Sequence, residues 1–285
     1  MTDESARGVV VRALVAGRAV RVLITEARPL VERTRAIHGL GPDATRIGGE
    51  AIVAGLLSSI QIKGEEQLTL QIQGVEPKCA VYVDVTATGG LRARVRPADL
   101  VLGERVRGML LVIKHAPGSQ TYRGASEIDG ATLEQGLAAH FTSSAQVDAI
   151  LRVGCVVGPD GRVVSAGGLS IERLPEERGL PSLTLAEFHE RFGWVKDADL
   201  GQLLTQAAFG SLGDERLEVL ERLDVAWKCR CSEAKIEETL SSLGVAQLEV
   251  LIHEDHGAEV SCHFCGTVYR VSEARLRELA ASADG

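Results

Sequence analysis

Aromatic side chains make up only 4% of this 285-residue chain: two Trp, three Tyr and five Phe. A core with so few large rings has to be filled by Val, Leu, Ile and Ala, and the 45% hydrophobic content supplies them. Long hydrophobic runs are also missing. The most apolar stretch, "AIVAGLLSSI", is shorter than the roughly twenty residues a bilayer-spanning helix needs. The first residues, "MTDESARGVVV", show no basic segment followed by an apolar one, so no secretory leader is expected and the cytosol is the expected compartment. No internal repeat or low-complexity tract occurs. "GPDGRV" is a turn without a phosphate-loop pattern around it.

A basic excess is lacking as well. The formal charge is −8, and it is spread unevenly. Residues 1–175 carry 20 Lys and Arg against 18 Asp and Glu; residues 176–228 carry 6 against 11; residues 229–285 carry 5 against 10. The last two stretches are therefore acidic, which argues against a phosphate-binding face there.

What is present is a mixed pattern of strands and helices. "GVVVRALVAGRAVRVLIT" predicts two strands joined at Ala16-Gly17, because β-branched residues flank a turn signal. "EARPLVERTRAIHGL" has helical spacing and stops at Gly39. A second helix, from near Asp43, is rich in Gly and Ala and so suited to close packing. "EQLTLQIQG" and "GMLLVIKH" read as strands. "KCAVYVDVTATGGLRARV" and "RVGCVVGPDGRVVSAGGLSIERL" read as hairpins turning at Gly89-Gly90 and Pro159-Asp160-Gly161. "TLEQGLAAHFTSSAQVDAIL" reads as helix. Without a regular βαβ rhythm, α+β is the expected class.

After Pro175 the texture changes to short helical patterns broken by Gly and charge. In "DERLEVLERLD", Asp214 is a candidate N-cap, and Leu217, Leu220 and Leu223 recur at threes, predicting an amphipathic helix. Beyond it, Ser232 and Ser272 are candidate caps of helices flanking a strand–knuckle–strand motif, with a further short helix in "VAQLEVLI".

The knuckle carries the chemistry. "KCRCS" sets Cys229 and Cys231 one residue apart; thirty residues later "SCHFCG" holds Cys262 and Cys265. Two residues between thiolates let both sulfurs face one ion, and Gly266 permits the tight turn beside them. Four soft ligands point to one tetrahedral Zn2+. The Cys-x-Cys half departs from an ordinary structural site. Thiolates held by zinc stay poised for oxidation, each has a neighbour as disulfide partner, and a small metal-dependent unit unfolds when its ion leaves.

Cys79 and Cys155 lie between apolar residues and read as inert buried thiols; no motif supports a catalytic Cys155–His140 pair. His253, His256 and His263 lie near the knuckle but read as surface residues, since four thiolates already complete a site.

"KCRCS" with "AEVSCHFCGTVY" at this separation, together with "HGLGPDATRIGGEAIVAGLLSSIQIKGEEQLTLQIQG" and "GPDGRVVSAGGLSIERLP", resembles the redox-regulated holdase chaperones, the bacterial heat-shock proteins of thirty-three kilodaltons. The resemblance implies an N-terminal α+β core (1–175), a metastable helical linker (176–228) and a C-terminal zinc-binding redox switch (229–285). It implies one zinc on Cys229, Cys231, Cys262 and Cys265 in the reduced, inactive form. It implies Cys229–Cys231 and Cys262–Cys265 disulfides in the oxidised form, which binds unfolding client proteins without ATP. It implies a chaperone rather than an enzyme, with no nucleic-acid or membrane partner, and leaves open a homodimer of the oxidised form. With this resemblance, the Leu217, Leu220 and Leu223 stripe becomes a candidate reversible docking face.

Two rival readings are weighed against it. A zinc-ribbon nucleic-acid binder is disfavoured by the acidic C-terminal part. A dithiol oxidoreductase using Cys262 and Cys265 would need a thioredoxin-like βαβ context, which is absent.

Overall fold

β-Branched runs separated by glycine turns build most of the first of two compact units, Met1–Lys228 and Cys229–Gly285. The structure, a computed structural model, describes residues 2–103, 106–116, 122–130, 132–145, 148–176 and 179–283. The first unit contains β1 (Thr2–Val15), β2 (Val20–Glu26), α1 (Arg28–His38), α2 (Pro42–Ser58), β3 (Gln67–Glu76), β4 (Lys78–Thr86), β5 (Gly90–Arg96), β6 (Val106–His115) and β7 (Tyr122–Gly130). It continues with α3 (Leu133–Ala145), β8 (Ala149–Val157), β9 (Val163–Arg173), α4 (Leu185–Phe192), α5 (Leu200–Ala208), β10 (Ser211–Leu212) and β11 (Glu215–Lys228). The strands form one sheet in the order β7-β6-β3-β4-β5-β11-β1-β2-β9-β8, with β10 paired to β11. Neighbours are antiparallel except β11 and β5, which meet in parallel through Ala226–Gly90 and Trp227–Leu91. The expected α+β class is what the chain adopts, and no helix among the described residues is long and apolar enough to cross a membrane.

α2 is buried nearly all round and packs against strands on both sides of the β5–β11 junction. Its small residues make this approach possible. A methyl group added at Gly48 would stand 2.6 Å from Val95, and one at Gly49 would stand 2.5 Å from the Cys155 sulfur.

The opposite face of β1, β2, β8 and β9 is covered by α4, the turn Gly193–Lys196 and α5. Phe188, Phe192, Val195 and Leu203 meet Ala13, Val15, Val22, Leu169 and Ile171 in one buried cluster. Both covering helices are short and firmly capped. Thr184 and Glu187 form a capping box, and Asp199 accepts from the Gln202 amide. A polar tie adds to this packing. Arg152 of β8 donates through Nε to Glu134 of α3 at 2.7 Å and through Nη1 to the carbonyls of Val195 and Ala198 at 2.5 and 2.9 Å. Replacing Arg152 by Met should keep most of the packing volume but strand these acceptors. The expected loss is about 2–4 kcal/mol in urea unfolding, with faster amide exchange concentrated at residues 193–203.

Three sequence expectations are corrected. "DERLEVLERLD" is not a helix but part of strand β11, and Asp214 lies in the β10–β11 turn rather than at a cap. Leucines at threes also suit a bulged strand. Register slips by one residue opposite Arg12, leaving Leu220 as the extra residue. The slip puts Leu217 on the α4–α5 face and Leu223, with Val225 and Trp227, on the other. Only Leu217 of the three leucines is buried, and Leu220 is 53% exposed. The run 122–130, left without an element in the sequence, is β7, paired along β6. The helix expected through residue 150 is α3, and Ala149 already begins β8; residues 146 and 147 lie outside the described residues.

Candidate metal centre

The second unit holds α6 (Glu233–Ser241), α7 (Val245–His253), β12 (Gly257–Ser261), β13 (Val268–Ser272) and α8 (Glu273–Ala283). Its buried core is small: Leu240, Leu248, Ile252, Leu276 and Leu279. Ser232 caps α6 by accepting from the Lys235 amide, and Ser272 accepts from the Arg275 amide at the start of α8, as their positions predict.

The hairpin β12–β13 makes the knuckle. The Cys262 amide donates to the Thr267 carbonyl at 2.9 Å, and the Gly266 amide returns to the Cys262 carbonyl at 2.8 Å. Gly266 takes φ 70°, a left-handed conformation that a side chain at this position would disfavour. This turn points Cys262 and Cys265 the same way. Cys229 and Cys231 come from the segment leading into α6.

All four sulfurs lie within 4.8 Å of one another. Cys229 and Cys262 sulfurs are 3.6 Å apart, and Cys231 and Cys265 are 3.4 Å apart. A tetrahedron with sulfur about 2.3 Å from its centre has edges of about 3.8 Å, so the cluster matches the span that one ion requires. The donor set is four thiols and no oxygen, which suits a soft or borderline cation. No histidine joins it: His253, His256 and His263 are exposed, and His256 faces Glu273 at 3.4 Å.

The surroundings set the sulfurs apart electrostatically. Burial pushes Cys229, Cys231 and Cys262 up. Burial also acts upward on Cys265, but hydrogen bonding with the Thr267 side chain and main chain and with its cysteine neighbours outweighs it and sets the thiol at about 7. Two hydroxyls touch the cluster. Tyr269 donates to the Cys231 sulfur at 3.0 Å, and Thr267 Oγ1 lies 3.1 Å from the Cys265 sulfur. The hydrogen bond to Cys231 raises the Tyr269 phenol, keeping it a donor. Neither residue was singled out from the sequence. Their signal was the alternation of β13 behind the knuckle, which turns 267 and 269 to one side. With a metal on the four sulfurs the phenol would steady Cys231 from behind, so Tyr269→Phe should weaken metal binding about tenfold or more, read by competition with a chromogenic chelator.

The remaining thiols are placed apart from this cluster. Cys79 is buried and pushed up by burial. Cys155, pushed up to about 12 by burial and the nearby Glu50, contacts the Thr45 carbonyl at 3.8 Å. His140 instead pairs with the Ser126 hydroxyl at 2.7 Å.

The family model described as Hsp33 protein matches residues 8–272. The chain belongs to the Hsp33 family. A 33 kDa chaperonin of Shouchella clausii is 30% identical over 96% of this chain and 98% of its own. A 33 kDa chaperonin of Staphylococcus haemolyticus is 30% identical over 93% and 94%. The crystal structure of the 33 kDa chaperonin, a heat shock protein 33 homolog, from Thermotoga maritima superposes with a TM-score of 0.81 over 98% of this chain and 100% of its own, at 23% identity. It shares the Hsp33 fold described here.

Proposed function

We propose that this protein is a redox-controlled, ATP-independent holdase chaperone whose reduced state is kept inactive by one zinc ion on Cys229, Cys231, Cys262 and Cys265. The observation that carries the reading is the gathering of four sulfurs at one point, in a unit with a five-residue core, joined directly to the end of β11. When bound, zinc supplies the cross-link that this unit's own packing is too small to provide. Membership in a family with relatives named chaperonins supports client holding rather than catalysis.

Each disulfide forms when two thiolates lose two electrons in total to an oxidant of the peroxide class, whose O–O bond breaks to give water as protons are taken up. We assign the pairs as Cys229–Cys231 and Cys262–Cys265. The closest sulfurs in the folded cluster belong to opposite pairs, but pairing follows ligand loss. This pairing of sequence neighbours is the one that the family resemblance implies. The unit then melts, and the acidic stretch 176–228 that precedes it becomes a metastable linker able to leave the sheet. The stretch unmasks apolar surface where unfolding proteins bind.

The test follows light scattering of a heat-unfolding client together with zinc content. Reduced protein should hold one zinc per chain and leave aggregation unchanged. Peroxide-treated protein should release zinc and suppress aggregation, with the Cys229–Cys231 and Cys262–Cys265 disulfides in its peptide map. Equal suppression by both forms ends the redox reading. Full zinc retention in a Cys229→Ser, Cys231→Ser variant ends the four-thiolate site.

A further inference from the structure

β11 is the last strand of its unit in sequence, yet it lies inside the sheet, between β5 and β1. Its attachment is one-sided. It runs paired with β1 from Arg7–Ala226 to Val15–Leu217, whereas β5 meets it only at Ala226 and Trp227, and β10 only at Glu215 and Arg216. Few of its side chains are buried: Leu217, Val225 and Trp227 are, while Val219 and Leu220 are 62% and 53% exposed. Main-chain pairing to β1 therefore holds much of the strand. β1 has the opposite character. "GVVVRALV" buries Val10, Ala13 and Val15, and its other edge is completed by β2.

The main-chain hydrogen bonds at the strand ends fix which groups face which neighbour. Ala16 donates to the Arg216 carbonyl, Leu217 to the Gly210 carbonyl and Ala226 to the Gly89 carbonyl. Alternation along the strands then turns the amides of Val10, Arg12 and Leu14 towards β11. On β11, beyond the bulge, the amides of Leu223 and Val225 face β1, and those of Arg222 and Asp224 face away. Beside this pairing, a cavity of about 410 Å³ of mixed polarity opens between Val10, Arg12, Ile62, Lys63, Glu221 and Leu223.

We propose that the β1 edge, Gly8–Leu14, is a strand-addition site for extended segments of unfolding proteins, and that β11 is its resident occupant. This rests on the holdase reading above and names how the client is held. Once β11 departs, β1 presents a row of unpaired amides and carbonyls on an apolar strand, and the space it leaves is strand-shaped because a strand filled it. Main-chain pairing reads no particular sequence, which suits unrelated clients. Glu218, Glu221, Arg222 and Asp224 make the expelled β11 a charged strand, one that resists pairing with other chains.

The test uses the full-length protein and an acetylated, fluorescent peptide with the sequence of Glu215–Lys228. Two further peptides carry the same side chains, one N-methylated at Leu223 and Val225, the other at Arg222 and Asp224. Oxidised protein should bind the unmodified peptide and the second variant within twofold of each other. It should bind the first at least tenfold more weakly, and reduced protein should bind none. In the client complex, amide exchange at Val10, Arg12 and Leu14 should slow at least tenfold relative to oxidised protein alone. Equal binding of the two methylated peptides, or client holding with no protection of those three amides, overturns strand addition while leaving the holdase reading intact. Absence of client holding by the oxidised form overturns both.

Discussion

Stripping the metal from the reduced protein with a strong chelator is expected to unfold residues 229–285 and leave strands β3, β4 and β6 of the first unit protected. The two units differ in what holds them. The first has a sheet of eleven strands, a helix buried nearly all round and an apolar cluster of sixteen buried side chains. The second has a core cluster of five buried aliphatic side chains. Each contributes about 1.5–3 kcal/mol, and units of this size rarely stand on such cores without a staple. A structural zinc on four thiolates contributes apparent binding energy of about 10–16 kcal/mol in small metal-dependent folds, enough to decide whether this one is folded. Amide exchange should therefore become fast across α6, α7 and α8 after chelation, while β3, β4 and β6 keep their protection. Re-adding zinc under reducing conditions should restore the slow amides. Slow exchange persisting in α7 and α8 without metal would show that the aliphatic core suffices and that the thiolates do not control folding.

The second unit was legible in the sequence because its signals are local. Cys-x-Cys and Cys-x-x-Cys-Gly fix ligand geometry over a few residues, and Ser232 and Ser272 mark helix starts at once. Hairpins at Gly89-Gly90 and Pro159–Gly161 were legible for the same reason. What escaped depends on partners far along the chain. β11 pairs with β1, some two hundred residues away, and its bulge mixes the alternation of a strand into the spacing of a helix. β7, with Gly, Ser, Glu and Asp along it, is carried by pairing to β6 rather than by propensity. Arg152 has no local signature, since its acceptors are carbonyls more than forty residues on. Tyr269 was hidden because second-layer support for a metal ligand has no fixed spacing.

The correction at β11 changes which substitution should mimic oxidation. Leu220 is exposed and Leu223 half-buried, so neither is a main anchor. The anchors lie in α4, where Phe188 and Phe192 are fully buried with ring centroids 5.6 Å apart, against Val15, Val22 and Ile171 of the sheet. Truncating a buried Phe to Ala costs about 3–5 kcal/mol. The segment they anchor holds two helices of eight and nine residues, too short to persist undocked. Phe188→Ala is therefore expected to free residues 185–208 while zinc stays stoichiometric and the four thiols stay reduced. Reduced Phe188→Ala protein should suppress client aggregation at a level approaching that of the oxidised wild type. Leu220→Ser, at an exposed position, should change stability by less than about 0.5 kcal/mol and leave the reduced form inactive. Amide exchange separates local release from global unfolding: protection must fall at 185–208 and persist in β3, β4 and β6. Should Phe188→Ala lose the whole sheet, Phe192→Leu, which removes less volume, carries the test. A locally released but inactive Phe192→Leu protein would show that undocking this segment is not what exposes the client-binding surface.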